Sequence, residues 1–134
     1  MPRYLLDTNI CIHIRQNRRL EITERFRSLK AGEPAISLIT YGELAYGAEK
    51  SQHRDSAQKQ LAELLSLLPL LPLPEASGKI YGILRADLAK KGMLISSNDL
   101  WIAAHALAAD LTLVTSNERE FSRVPHLRFE NWAR

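Results

Sequence analysis

Four oxygen-bearing side chains stand at or just beyond short apolar runs of this sequence. Asp7 follows Tyr4-Leu5-Leu6 directly. Glu43 lies five residues beyond Leu38, the last residue of the run from Pro34. Asp99 opens a helical apolar pattern, and Asn117 follows the run from Leu111 to Val114 by way of Thr115-Ser116. Carboxylates brought to one place repel each other and become weaker acids, and a divalent cation removes that penalty. Oxygen-only ligands favour Mg2+, Mn2+ or Ca2+ over zinc. Two such ions about 4 Å apart can activate a water and stabilise the leaving oxygen of a phosphodiester.

Each residue also has a purely structural reading. Asp7 suits the N-cap of a helix beginning near Ile10. Thr40-x-x-Glu43 has capping-box spacing, with Glu43 reaching back to the Thr40 backbone. Asp99 has Ile102 and Ala103 three and four residues on, so its carboxylate points toward a buried face and needs a partner, either a cap or a metal. Asn117-x-x-Glu120 is another cap-like pattern, although an amide carbonyl can also ligate a hard cation or orient its water.

The elements that must position these groups alternate. Strands are expected at Tyr4 to Leu6, Pro34 to Leu38, Leu70 to Leu73 and Leu111 to Val114, with a last one at Leu127 to Phe129. Helices are expected from Ile10 to Arg15, Ile22 to Leu29 (closed by Gly32), Thr40 to Lys50, Arg54 to Leu68, Glu75 to Lys90 (closed by Gly92) and Asn98 to Ala109. That order predicts an α/β fold with a central, mostly parallel sheet of four to five strands flanked by helices. In such sheets ligands bind at the carboxyl ends of the strands, where the four oxygen-bearing residues fall.

With 134 residues, 46% of them hydrophobic and 25% charged, one domain over residues 1–134 is expected. No apolar run approaches the roughly 20 residues of a membrane span. Asp7 interrupts the opening before a signal-peptide core can form, so a cytoplasmic protein is expected. Cys11 is the only cysteine and reads as a small buried hydrophobe. A net charge of +3 permits a phosphate-polymer ligand without requiring one. No P-loop, GxGxxG or Ser-His-Asp pattern is present.

Leu5-Leu6-Asp7-Thr8-Asn9-Ile10 resembles the opening signature of PIN-domain proteins, in particular the VapC-type toxins of bacterial toxin–antitoxin pairs. Ser37-x-x-Thr40-x-x-Glu43-Leu44-x-x-Gly47 is similar to their second motif, and Asn98-Asp99-Leu100-x-Ile102-Ala103-Ala104-His105-Ala106 to their third. Val114-Thr115-Ser116-Asn117-x-x-x-Phe121 resembles the fourth, and the tail Val124-Pro125-x-Leu127-Arg128-x-Glu130-Asn131-Trp132 is also family-like. The motifs run in order through nearly the whole chain. The resemblance implies a PIN-like fold and metal-dependent endonucleolytic cleavage of RNA. It implies Asp7, Glu43 and Asp99 as ligands of Mg2+ or Mn2+, a homodimer, and a VapB-type antitoxin as partner. The opening Asp7-Thr8-Asn9-Ile10-Cys11 implies tRNA as substrate, down to the anticodon loop of initiator tRNA. Asn117 departs from the Asp of many relatives at the fourth position, which weakens a second metal site.

Around this core, Thr8, Asn9, Thr115 and Ser116 are candidate hydrogen-bond donors to the carboxylates or to phosphate. Arg15, Arg18 and Arg19 form a basic run with two readings, a solvated helix end or an RNA backbone contact. His105 is six residues past Asp99, about 600° around the helix, and is expected to pack rather than catalyse. Trp101 and Trp132 are likewise read as packing residues. Tyr41, Tyr46 and the leucines of Leu61 to Leu68 exceed what one small core needs, so a dimer face or an antitoxin groove is open to them.

Two rivals share these features. In a non-catalytic RNA- or protein-binding module the acids are only caps. A DNA- or structure-specific nuclease has the same metal chemistry. A phosphoacceptor signalling domain is excluded, because it needs an Asp after a middle strand and a Lys after a later one, and neither stands here.

Overall fold

The structure, a computed structural model, describes residues 1–133. The strands are β1 (Tyr4–Leu6), β2 (Pro34–Ser37), β3 (Leu70–Leu71), β4 (Thr112–Val114) and β5 (Phe129–Glu130). The helices are α1 (Thr8–Gln16), α2 (Leu20–Arg27), α3 (Leu38–Glu49), α4 (Arg54–Leu65), α5 (Ser77–Lys90), α6 (Ser97–Ala109) and the short α7 (Glu118–Phe121). The strands form one sheet in the order β3-β2-β1-β4-β5, and every neighbouring pair is parallel. The expected alternation therefore holds, and the sheet is wholly parallel.

Parallel strands covered on both faces must be apolar on both. In β1, Tyr4 and Leu6 enter a core with Ile10, Cys11, Ile22, Leu44, Leu61 and Leu64, from α1 to α4. Leu5, on the opposite face, enters a second core with Leu84, Leu88, Leu100, Ala103 and Phe121, from α5 to α7. β4 divides the same way, Leu113 to one core and Val114 to the other. Between α1 and α6 the chain thus covers first one face of the sheet and then the other.

The strand order sets the crevice. From β1 the chain builds outward through β2 and β3, then returns to add β4 and β5 on the other side. The reversal lies between β1 and β4, and open parallel sheets bind their ligands at the carboxyl ends of the strands at such a point. Asp7 follows β1, and Thr115 to Asn117 follow β4.

Several boundaries differ from the sequence expectation. The cap of α3 is Ser37, whose Oγ accepts the Ile39 N–H at 3.1 Å, so the helix starts before Thr40. Thr40 is fully buried, its hydroxyl has no partner, and the Thr40–Glu43 capping box does not form. α4 stops at Leu65, and β3 is only two residues long between Pro69 and Pro72. Gly32, with φ +88°, lies beyond the αR cap of α2 at Ser28 and serves the turn into β2 instead. Gly92, with φ +67°, follows α5 as expected. No helix among the described residues is long and apolar enough to cross a membrane.

Candidate active site

Asp7 sits at the end of the central strand, almost wholly buried. The capping role read from the sequence holds. Oδ1 accepts the Asn9 N–H at 2.8 Å, capping α1, while Oδ2 accepts the Thr115 hydroxyl at 2.5 Å from the end of β4. Thr115 is itself fixed, because its Oγ1 accepts the Asn117 N–H at 2.9 Å. A chain of hydrogen bonds thus ties β1 to β4 across the crevice. Burial pushes the Asp7 carboxyl above its ordinary range against the pull of these donors, and the charge of Glu43 adds to the rise.

Glu43 lies half-buried in the second turn of α3. Its Oε1 accepts the Thr8 hydroxyl at 2.7 Å, so the residue next to Asp7 orients the second acid. Among the described residues Oε2 carries no hydrogen bond.

Asp99 occupies the first turn of α6, whose N-cap is Ser96; the Ser96 hydroxyl accepts the Asp99 N–H at 3.2 Å. The aspartate is partly buried. Burial raises its pKa first, the Ser96 bond opposes, and the charges of Asp7, Glu43 and Glu120 raise it further. The three sequence-predicted acids therefore lie within electrostatic reach of one another, although they come from the end of β1, the second turn of α3 and the first turn of α6. Glu120, in α7, is a fourth acid that the sequence reading assigned to a cap. The only signal for it was its place three residues after Asn117.

Asn117 stands at the N-terminus of α7, but its side chain makes no capping bond there, so the cap-like pattern is not used and the amide stays available. Of the four candidate donors, Thr8 and Thr115 bond carboxylates through their hydroxyls and Asn9 does so through its backbone. Ser116 is exposed and makes no such bond among the described residues. Arg15, in the last turn of α1, lines the same cleft as Glu43. Arg18 and Arg19 are exposed in the α1–α2 connection, where Arg19 pairs with Glu21 at 3.6 Å. Trp101 stacks on Tyr81 with centroids 3.8 Å apart, and Trp132 packs edge-on against Tyr4, so both pack as expected. A cleft of about 660 Å³ lies away from these acids between α2 and the tail, around Arg25, Glu130 and Trp132.

No Lys or Arg among the described residues pairs with Asp7, Glu43 or Asp99. Their donors are neutral, and each bonded carboxylate oxygen keeps a further lone pair. No three acidic, imidazole or thiol groups among the described residues stand close enough together to hold an ion as they are, so the acids are neighbours rather than a finished cage. An uncompensated cluster of hard oxygen donors at a crevice fits a hard divalent cation.

Comparison with known proteins settles the family. The PIN domain model matches residues 4–127. The chain belongs to the PIN-domain family. Within it, its relatives are VapC ribonucleases. Ribonuclease VapC2 of Haemophilus influenzae is 45% identical over 132 residues, covering 98% of this chain and 99% of that one. The tRNA(fMet)-specific endonuclease VapC of Shigella flexneri is 40% identical over 133 residues, covering 99% and 100%. The crystal structure of DNA-bound VapBC from Salmonella typhimurium contains a chain that superposes with a TM-score of 0.92 at 39% identity, covering 98% and 99%. The chain is thus a VapC-type PIN ribonuclease, of a family that is typically metal-dependent.

Proposed function

We propose that this PIN ribonuclease is the toxin of a VapBC-type pair and cuts tRNA with Mg2+ or Mn2+ held by Asp7, Glu43 and Asp99. The carrying observation is the gathering of these three acids at the carboxyl ends of the sheet with no Lys or Arg ion-paired to them, where burial first and the neighbouring acids second raise the pKa values of Asp7 and Asp99. Asn117 contributes its amide carbonyl, and Glu120 a further negative charge. When bound, the ion supplies a water of lowered pKa and neutralises the charge that develops on the phosphate.

The chain's own groups do the positioning. Thr115 and the Asn9 N–H fix both oxygens of Asp7. Thr8 fixes Glu43 Oε1 and leaves Oε2 to orient the attacking water. The shell is preorganised on three separate elements, so a small shift of any one weakens the site.

The substrate follows from kinship. The Shigella relative, matched over its whole length, is named for tRNA(fMet), and initiator tRNA is accordingly proposed here, with the cytoplasm as the place of action. The Salmonella VapBC complex supports a VapB-type antitoxin as partner. Leu38 and Tyr46 on α3 and Ile83 on α5, all about half exposed or more, are available to a homodimer interface.

The test is cleavage of purified initiator and elongator tRNAs, with the ends of the products mapped. Metal-dependent cutting confined to the initiator anticodon loop supports the proposal. Equal cutting of all tRNAs rejects the substrate, and cutting that persists in EDTA rejects the metal.

A further inference from the structure

Three clefts meet at Arg15. The first, about 140 Å³, runs from Thr8 and Glu43 to Arg15 along Ser51 and Ala57. The second, about 340 Å³, is lined by Arg15, Ser51, His53, Ser56, Ala57 and Gln60. The third, about 260 Å³, continues past Gln60 and Glu63 to Leu67. The guanidinium of Arg15 joins no ion pair among the described residues, and its Nε is shielded from solvent with no acceptor. A shielded, unpaired donor on a cation is unfavourable unless something else supplies the acceptor.

The middle cleft can supply a place for one. All of its polar side chains (guanidinium, imidazole, two hydroxyls and an amide) can donate hydrogen bonds, and none is a carboxylate. Ser56 and Ala57 belong to the first turn of the 12-residue helix α4, whose dipole adds positive potential. Among the lining residues carboxylates stand only in the adjoining clefts, Glu43 in the first and Glu63 in the third, so the middle cleft is the one suited to an anion, although Asp55 in the first turn of α4 offsets part of the dipole. The first cleft shares Arg15, Ser51 and Ala57 with it and reaches Glu43 and Thr8, the neighbour of Asp7.

We infer that Arg15, with His53 and Gln60, forms a phosphate-binding subsite that seats a backbone phosphate of the RNA near the scissile bond. This rests on the ribonuclease reading above and deepens it by giving the strand a direction, from the β1–β4 crevice along the groove between α1 and α4. It also separates the basic run Arg15, Arg18 and Arg19. Only Arg15 reaches the groove, and Arg19 is already paired. A fork of N–H donors matches phosphate geometry in a way a lysine does not.

The test uses two readouts. In an Asp99→Asn background, binding of tRNA and of a short single-stranded RNA is followed by fluorescence anisotropy over a range of salt concentrations. In the active protein, KM and kcat are measured. Arg15→Ala should weaken RNA binding by roughly tenfold or more and lower the salt slope by about one. It should raise KM and leave kcat little changed. Arg15→Lys should keep the salt slope while losing part of the affinity, and Gln60→Ala should weaken binding without changing the slope. These two variants carry the test if Arg15→Ala does not fold.

Unchanged affinity and slope overturn the inference, as does a fall in kcat at constant KM. So does an Arg15→Ala protein that binds RNA normally but releases its antitoxin, because the cleft then serves a protein ligand. If the wild type binds RNA but never cuts it, the ribonuclease reading fails, and anisotropy still reports on the subsite.

Discussion

His105 Nδ1 and Ser37 Oγ lie 2.9 Å apart in the interior, joining the helix that carries Asp99 to the cap of the helix that carries Glu43. Both residues are buried, and burial pushes the imidazole pKa down, which favours the neutral ring. Ser37 Oγ also accepts the Ile39 N–H, so one hydroxyl serves both helices. His105→Leu should cost about 1 kcal/mol of stability. It should also raise the metal concentration needed for half-maximal cleavage, with kcat at saturating metal nearly retained. Ser37→Ala loses the cap as well and should cost more. Thermal melts and Mn2+ titrations check both, and an unaltered metal requirement in His105→Leu would count against the link.

Thr115→Val removes the hydroxyl that holds Asp7 Oδ2 and the acceptor for the Asn117 N–H. Loss of such supporting bonds typically lowers metal affinity or activity by about 10–100-fold, and that is the expected loss in kcat/KM. Thr115→Ser keeps the hydroxyl and should recover most of it. Equal losses in the two variants would mean that packing, not the hydrogen bond, matters at this position.

The raised carboxyl pKa values bear on stability. A carboxyl whose pKa is higher folded than unfolded stabilises the fold below its unfolded value, and that contribution is lost as pH rises through the folded value. Asp7 and Asp99 both behave this way relative to an ordinary 3.8. In metal-free protein, Asp99→Asn should therefore gain Tm relative to wild type as pH rises from about 4 to about 7. His105 shifts stability in the opposite sense but is common to both proteins, so the difference isolates the acid. Adding Mn2+ near neutral pH should raise the Tm of wild type more than that of the variant. Calorimetry across pH would expose the absence of either trend.

Asn117→Asp places a full negative charge where the neutral amide now stands. With Glu120 three residues on in α7, the new carboxylate should destabilise the metal-free protein at neutral pH and lower the metal concentration needed for cleavage. A variant with an unchanged metal requirement would place residue 117 outside the ion's surroundings.

The acids were legible because their backbone setting was. Tyr4-Leu5-Leu6 must be a strand buried on both faces, and the residue after it must sit at the sheet's edge, which fixes Asp7 without any view of its contacts. The capping box at Thr40 misled because Ser37, three residues earlier, is an equally good cap and already ends β2; local spacing alone does not choose between two hydroxyls. Glu120 and the His105–Ser37 bond were not legible, since each depends on how α6 and α7 pack against elements distant in sequence. Arg15 illustrates the same limit. The basic run was visible, but only the packing of α1 against α3 and α4 separates the arginine in the groove from the two in solvent.

The most direct test of the central claim is cleavage of tRNA by wild type and Asp99→Asn, side by side, with Mg2+ or Mn2+ and with EDTA. Discrete fragments from wild type with metal, and none from the variant or in EDTA, are the expected result. Cleavage by a folded Asp99→Asn protein at the wild-type rate, or by wild type in EDTA, would contradict a metal site built on these carboxylates.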